Sequence, residues 1–211
     1  MGITLRTNQD TPDRMALETA VSFLCKGGVL VMPTDSVYGI GCVATPGNPA
    51  HEKIFAIKQR DRAQTLPWLI ADSQDLHLYA KDVPLWMERL ANELWPGALT
   101  LVVDASDAVP PEYRAADGTV ALRVPDSNLV RMLAREVGPL ATTSANTHGA
   151  TAATSGADVE QHIVQEADLT LDAGPAPVAI ASTVVGIREG APCIYREGAI
   201  PAARIMELAQ S

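Results

Sequence analysis

The last third of the chain carries three strand-like segments in succession, near Leu169–Leu171, Ala179–Ile187 and Cys193–Tyr195, with no helical pattern between them. Parallel neighbours need a long crossover, usually a helix, so strands that follow one another this closely pair antiparallel. A pure doubly wound parallel sheet is thereby excluded. Upstream, helices and strands do mix. Thr11-Pro12 opens a helix whose Leu17, Val21 and Leu24 recur at i, i+4 and i+7, and Gly27-Gly28 stops it. Val29–Met32 reads as a short buried strand, and the residues after it as a loop up to a helix over Pro49–Lys58 with Ala50, Ile54 and Ile57 on one face. Further strands are expected around Leu69–Ile70, Leu99–Val103, Thr119–Val124 and Leu140–Thr143. Helices are expected over Pro84–Leu94, after Ser127, over Asp158–Ala167 and from Pro201, and Ala145–Gly156 is a polar loop. The pattern predicts an α/β fold with a mixed parallel/antiparallel sheet. With no repeat, low-complexity tract or linker, one domain over residues 1–211 is expected.

Composition narrows the function classes. Apolar residues make up 47% and charged residues 19%, a globular balance, and aromatics only 4%, so Val, Ile, Leu and Ala must build the core. Acids outnumber bases 25 to 16, for a net charge of −9, which opposes stable non-specific binding to nucleic acid. Cys25, Cys42 and Cys193 are odd in number and far apart, so neither a disulfide framework nor a CxxC zinc site is indicated. No apolar run reaches membrane-spanning length, and MGITLRTNQD lacks a signal-peptide core, so a cytoplasmic protein is expected.

The candidate sites lie at strand ends. Gly39-x-Gly41-x-x-Ala44 loosely fits a dinucleotide fingerprint, but six residues separate it from the strand before it and a Pro/Gly/Asn stretch intervenes before any helix. The residues preceding those glycines, Pro33-Thr34-Asp35-Ser36-x-Tyr38, place two hydroxyls, a carboxylate and a phenol at the end of an apolar strand, where ligands often bind. A polar turn explains Asp35 and Ser36 equally well. Lys58-Gln59-Arg60-Asp61-Arg62 is the densest basic cluster. A helix C-terminus accounts for Lys58, and an anion site accounts for the cations beyond it. Thr142-Thr143-Ser144-Ala145-Asn146 sets hydroxyls and an amide at a strand exit, without the GxSxG elbow of a serine nucleophile. His51 begins HEKIF, not HExxH, so zinc is not indicated. Arg123 interrupts an apolar strand, either facing solvent or presenting its guanidinium to a carboxylate.

Taken in order, these pieces resemble the YrdC-like family of threonylcarbamoyl-AMP synthases. The resemblance rests on Pro33–Gly41, Lys58-Gln59-Arg60, Trp95-Pro96-Gly97, Thr119–Pro125, Ser144-Ala145-Asn146, Ser182–Val185 and Arg196-Glu197-Gly198, and it covers nearly the whole chain. It implies a single YrdC-like domain, a twisted mixed sheet with flanking helices and a concave cavity. It implies synthesis of threonylcarbamoyl-AMP and pyrophosphate from L-threonine, bicarbonate and ATP, with Mg²⁺ carried on the phosphates, for a tRNA-modifying transferase complex. By the same resemblance Lys58, Arg60, Thr119, Ser144, Asn146 and Arg196 line the ATP side. Thr34, Arg123 and Ser182 hold threonine, with Tyr38 and Thr143 in support. On this reading Thr34 and Tyr38 carry the chemistry and the glycines shape a bend.

The chain departs from the family pattern at Asp61 and Thr65, where prolines are usual, at Ala152 in place of a serine, and at Gly186, where the S-T-V-[VI] segment usually ends in Asp. Two other readings stay open: a paralogue that makes another carbamoyl-adenylate, and a non-catalytic RNA-binding module.

Overall fold

The computed structural model describes residues 2–62 and 64–210. Its strands are β1 (Ile3–Arg6), β2 (Leu30–Met32), β3 (Gly39–Val43), β4 (Trp68–Leu69), β5 (Leu99–Asp104), β6 (Thr119–Arg123), β7 (Leu140–Ser144), β8 (Leu169–Asp172), β9 (Thr183–Arg188) and β10 (Ala191–Arg196). Its α-helices are α1 (Arg14–Cys25), α2 (Pro49–Lys58), α3 (Leu76–Tyr79), α4 (Leu85–Leu94), α5 (Asn128–Val137), α6 (Gln161–Glu166) and α7 (Ala202–Gln210). All ten strands join one sheet in the order β1-β8-β2-β3-β7-β4-β6-β5-β9-β10. β8 pairs parallel with β1 and β2, β4 with β6, and β5 with β9, while the other neighbours are antiparallel. The fold is therefore α/β with a mixed sheet; of the three late strands only β9 and β10 pair antiparallel, whereas β8 lies away from β9, between β1 and β2 and parallel to both.

Several expectations about the backbone change. Residues 39–43, read above as loop, form β3, which is buried throughout and hydrogen-bonded to β2 on one side and β7 on the other. Glycine-rich GIGCV has little strand propensity of its own, so pairing on both sides carries it. The glycines do not shape a bend. A Cβ on Gly39 would stand 2.7 Å from Thr142 Cγ2, and one on Gly41 would stand 2.5 Å from Thr142 Oγ1. They are bare so that the Thr142 side chain can cross over them. In α1, Asp13 caps through Ala16 N at 3.0 Å, and the deepest residues are Ala16, Ala20 and Leu24, with Leu17 and Val21 only partly buried. The small alanines let the helix lie close to the sheet, which rotates the expected stripe. The edge strand β1 alternates apolar and polar residues over only four positions, Ile3-Thr4-Leu5-Arg6, and the four-residue helix α3 is too short for a helical period.

The sheet's two faces are covered unequally. On one face α2 packs with α6 and α4 with α7 over the larger core, which includes Val31, Ile40, Trp68, Leu101, Leu122 and Val185. On the other, α1 and α5 pack together and over β8, β2, β3 and β4, burying Leu30, Met32, Leu129, Leu133 and Leu169. Each such aliphatic side chain contributes roughly 1.5–3 kcal/mol on burial. Past β4, that same face of β6, β5 and β9 lines an open cavity instead, through Ala121, Arg123, Thr100 and Val184.

Candidate functional site

The cavity measures about 320 Å³ and is walled by the strand ends, the loop after β2, the loop after β7 and the segment before β9. Its buried end is built around Arg123. Strand alternation sends Leu122 to the core and Arg123 to the cavity face. There its Nη2 donates to Asp35 Oδ1 at 2.5 Å, its Nη1 to Ser36 Oγ at 2.7 Å, and its Nε to Gly97 O at 2.9 Å. Burial lowers the guanidinium's pKa, Asp35 opposes that, and the charge of Arg196 adds to the lowering. The pair ties β6 to the loop after β2 and leaves two of the five N–H groups of Arg123 outside these three bonds.

The hydroxyls of that loop work within the fold. Thr34 Oγ1 donates to Val37 O at 2.7 Å and accepts from Ser36 N at 3.2 Å, closing a tight polar turn. Tyr38 borders the cavity, but its ring is buried in the larger core with Val31 and Ile40, and its hydroxyl donates to Gly174 O at 2.7 Å and accepts from Ala173 N at 3.0 Å. Burial pushes this phenol up to about 12. Thr34 and Tyr38 thus shape the loop, and neither hydroxyl is presented as a reactive group.

The basic cluster is split by one backbone reversal. α2 starts at Asn48, whose side chain accepts from Ala50 N at 3.0 Å, and ends at Gln59, which adopts φ 52°. Lys58, the last helical residue, turns inward and is 2% exposed. Its ammonium donates to Ser144 O and, at 2.5 Å, to Asn146 O. Burial, aided by neighbouring Arg60, holds its pKa down at about 8. Lys58 therefore stands behind the wall, bracing the loop after β7, and does not line the cavity. Arg60, beyond the reversal, does line it, with Nη1 donating to Thr143 Oγ1 at 2.7 Å and Nη2 to Thr65 O at 3.3 Å, while its buried Nε has no partner. Ser144 and Asn146 stand beside it. Asn146 Nδ2 bonds Thr147 O and Ala150 O, and its Oδ1 is buried without a partner.

At the rim, Arg196 Nη2 and Nε donate to Ser182 O at 2.8 and 3.1 Å, and Ser182 Oγ lies 2.8 Å from Thr100 Oγ1. Thr119 shares the cavity face of β6 with Ala121 and Arg123 but lies beyond the wall, its hydroxyl donating to Asp117 Oδ1 at 2.7 Å. Of the expected residues, the structure gathers Thr34, Tyr38, Arg60, Arg123, Thr143, Ser144, Asn146, Ser182 and Arg196 around one cavity, and leaves Lys58 and Thr119 off its wall. It also places there Thr142, from the same strand exit, and adds Thr100. Thr100 had a signal: it is the polar residue in the apolar run Leu99–Val103, and it is 3% exposed. Thr142 belongs to the hydroxyl-rich strand exit Thr142–Asn146 already singled out, and the glycines opposite it explain its place.

Charge decides what the cavity can take. Three guanidinium groups reach it, and no Asp or Glu lies on its wall among the described residues. Asp35, just behind, offsets one of them, whereas among the described residues the bonds of Arg60 and Arg196 go to hydroxyls and carbonyls. In a chain of net charge −9, this makes the cavity wall locally basic. Among the described residues no group of three His, Cys, Asp or Glu is placed to hold a metal ion, and no helix is long and apolar enough to cross a membrane.

Known proteins resemble this arrangement. The Sua5/YciO/YrdC family model, described as "Telomere recombination", matches residues 22–198. A putative threonylcarbamoyl-AMP synthase of Mycobacterium leprae is 35% identical over 93% of this chain and 90% of its own length. The threonylcarbamoyl-AMP synthase of Pyrococcus abyssi is 32% identical over 88% of this chain, which spans only 54% of that relative. The crystal structure of P. abyssi Sua5 complexed with L-threonine superposes with a TM-score of 0.89 at 31% identity, over 99% of this chain and 60% of that one.

Proposed function

The chain belongs to the Sua5/YciO/YrdC family, and from that premise we propose that it joins L-threonine, bicarbonate and ATP into threonylcarbamoyl-AMP and pyrophosphate. The observation that carries the reading is the acid-free cavity wall with Arg60 and Arg196 directed at it. Threonine's amine takes up CO₂ as a carbamate, and a carbamate oxygen attacks the α-phosphate while pyrophosphate leaves. Such a step requires two anionic reactants held together and charge neutralised at the phosphates, and no protein nucleophile. Guanidinium groups already desolvated by the protein meet that need without reorganising.

In this reading Arg60, Ser144, Asn146 and Arg196 face the nucleotide, while Arg60 Nε and Asn146 Oδ1 are buried from solvent and unpartnered. Thr34, Arg123 and Ser182 surround the amino acid, Arg123 through the N–H groups that Asp35, Ser36 and Gly97 leave over. Lys58 acts indirectly, through the carbonyls of Ser144 and Asn146, and Thr119 lies one pleat outside. Mg²⁺ rides on the phosphates, a cytoplasmic tRNA-modifying transferase complex receives the product, and residues 1–211 act as one domain.

The test is pyrophosphate release from ATP with threonine and bicarbonate each present or withheld, the adenylate being identified by mass spectrometry. Release that needs both supports the reading. Release indifferent to both sinks it, and release with a different amine in place of threonine assigns the chain to another carbamoyl-adenylate.

A further inference from the structure

We propose that Tyr195 is an aromatic platform on which the base of the bound nucleotide stacks at the outer edge of the cavity. The inference rests on the nucleotide reading above, and three features of the sheet lead to it.

The first is alternation along β9. Val185 enters the core and Val184 lines the cavity, so Gly186, two residues past Val184, lies on the cavity face about 7 Å beyond the wall. The second is a break in register. Ile194 pairs with Val185 and packs on the core, Arg196 pairs with Val184 on the cavity side, and Tyr195 between them has no partner. Such a bulge re-aims a side chain, and here two consecutive residues, Tyr195 and Arg196, reach the same face. The third is the fit of the ring. Tyr195 Cζ and Oη lie 2.8 and 2.9 Å from where a Cβ on Gly186 would stand, so the ring covers the glycine and only a glycine admits it there. Gly186 is also the position where the resembled pattern has Asp, so the ring occupies ground that a carboxylate would otherwise take.

Tyr195 is nonetheless 57% exposed. A large aromatic held against the sheet on one side and open on the other, next to a phosphate-directed arginine, is shaped for a flat apolar ring. The cavity is graded to match. Arg123, 6% exposed, marks an inner end sized for a small ligand, while Arg196 and Tyr195 mark the rim. The longer nucleotide has to run outward past Arg196, and its base then arrives over Val184 and Tyr195. Stacking tolerates any base, so the platform supplies affinity and orientation, not base identity.

The experiment measures, by calorimetry, the affinity of the full chain for ATP and for inorganic tripolyphosphate, which lacks a base. Tyr195→Ala is expected to weaken ATP binding by about 5- to 150-fold and to leave tripolyphosphate unchanged. Tyr195→Phe is expected to keep wild-type affinity, because the ring does the work. Gly186→Ala, which displaces the ring, is expected to follow Tyr195→Ala. Wild-type ATP affinity in Tyr195→Ala overturns the proposal, and so does an equal loss for both ligands, which would assign the ring to Arg196 and the phosphates. Wild-type protein that binds tripolyphosphate but not ATP fails at an earlier point and refutes the nucleotide reading itself.

Discussion

Lys58→Met removes one ammonium and keeps the apolar stem. Two terms then oppose each other. Ser144 O and Asn146 O lose their donor, at a cost of about 1–3 kcal/mol each. Against this, the wild-type ammonium is buried at a cost: its pKa falls from 10.5 to about 8, which corresponds to roughly 3 kcal/mol of destabilisation at neutral pH. The variant is therefore expected to lose no more than about 3 kcal/mol at pH 7. The pH dependence separates the two terms. Between the folded and unfolded pKa values the unfolded chain holds the Lys58 proton and the folded one does not, so wild-type stability rises with pH across that window. A neutral amine still has two N–H groups for its two carbonyls. The stability difference between wild type and Lys58→Met should thus widen by up to about 3 kcal/mol from pH 7 to about 10.5, the other titrating groups cancelling in the comparison. Urea unfolding of both proteins along a pH series measures it. Parallel curves would refute the depressed pKa. Unchanged stability together with abolished ATP binding would refute the bracing role and return the ammonium to the phosphates.

Arg60→Ala should weaken ATP binding about tenfold to a hundredfold by calorimetry, with little change in the unfolding midpoint, since among the described residues its hydrogen bonds go to Thr143 and the Thr65 carbonyl. Asp35→Ala leaves the buried Arg123 without its counter-charge and should cost about 3–5 kcal/mol in chemical denaturation; a loss near zero would mean that the pair does not hold β6 to the loop. Gly41→Ala forces a methyl against Thr142 Oγ1 and the Ala141 carbonyl and should cost about 1–3 kcal/mol, part of which Thr142→Ala in the same chain should restore.

Much of this was legible in the sequence where local rules decide it. Pro49–Lys58 and the Ser127 cap matched their signals because Asn48-Pro49, Ser127 and Gly138 act within a few residues of themselves. β3 was not legible. Its five residues carry no alternation, and the reason for its glycines lies about a hundred residues away in Thr142. The cavity as a whole had no local signal either, since it arises where the α1–α5 layer ends on one face of the sheet.

Lys58 and Arg60 show most directly why position in the chain was not enough. Two residues apart in a basic cluster, they read as one anion site. A helix that simply continued would turn Arg60 about 200° from Lys58 and carry it on along the axis, away from the wall that Lys58 braces, and a run of cations so close together would repel itself in any single pocket. Gln59 instead takes φ 52°, which ends α2 and sends the chain back across its own last turn through Arg60 N to Phe55 O at 3.1 Å. The two cations then serve opposite sides of one wall. Lys58 satisfies carbonyls from behind and gives up part of its proton affinity to do so, while Arg60, whose guanidinium stays charged under any such burial, faces the cavity. The assignment follows from their chemistry. Behind the wall the group must form hydrogen bonds whether or not it is charged, which an amine can do. Before it the group must hold its charge against a phosphate, which only the guanidinium does at every accessible pH.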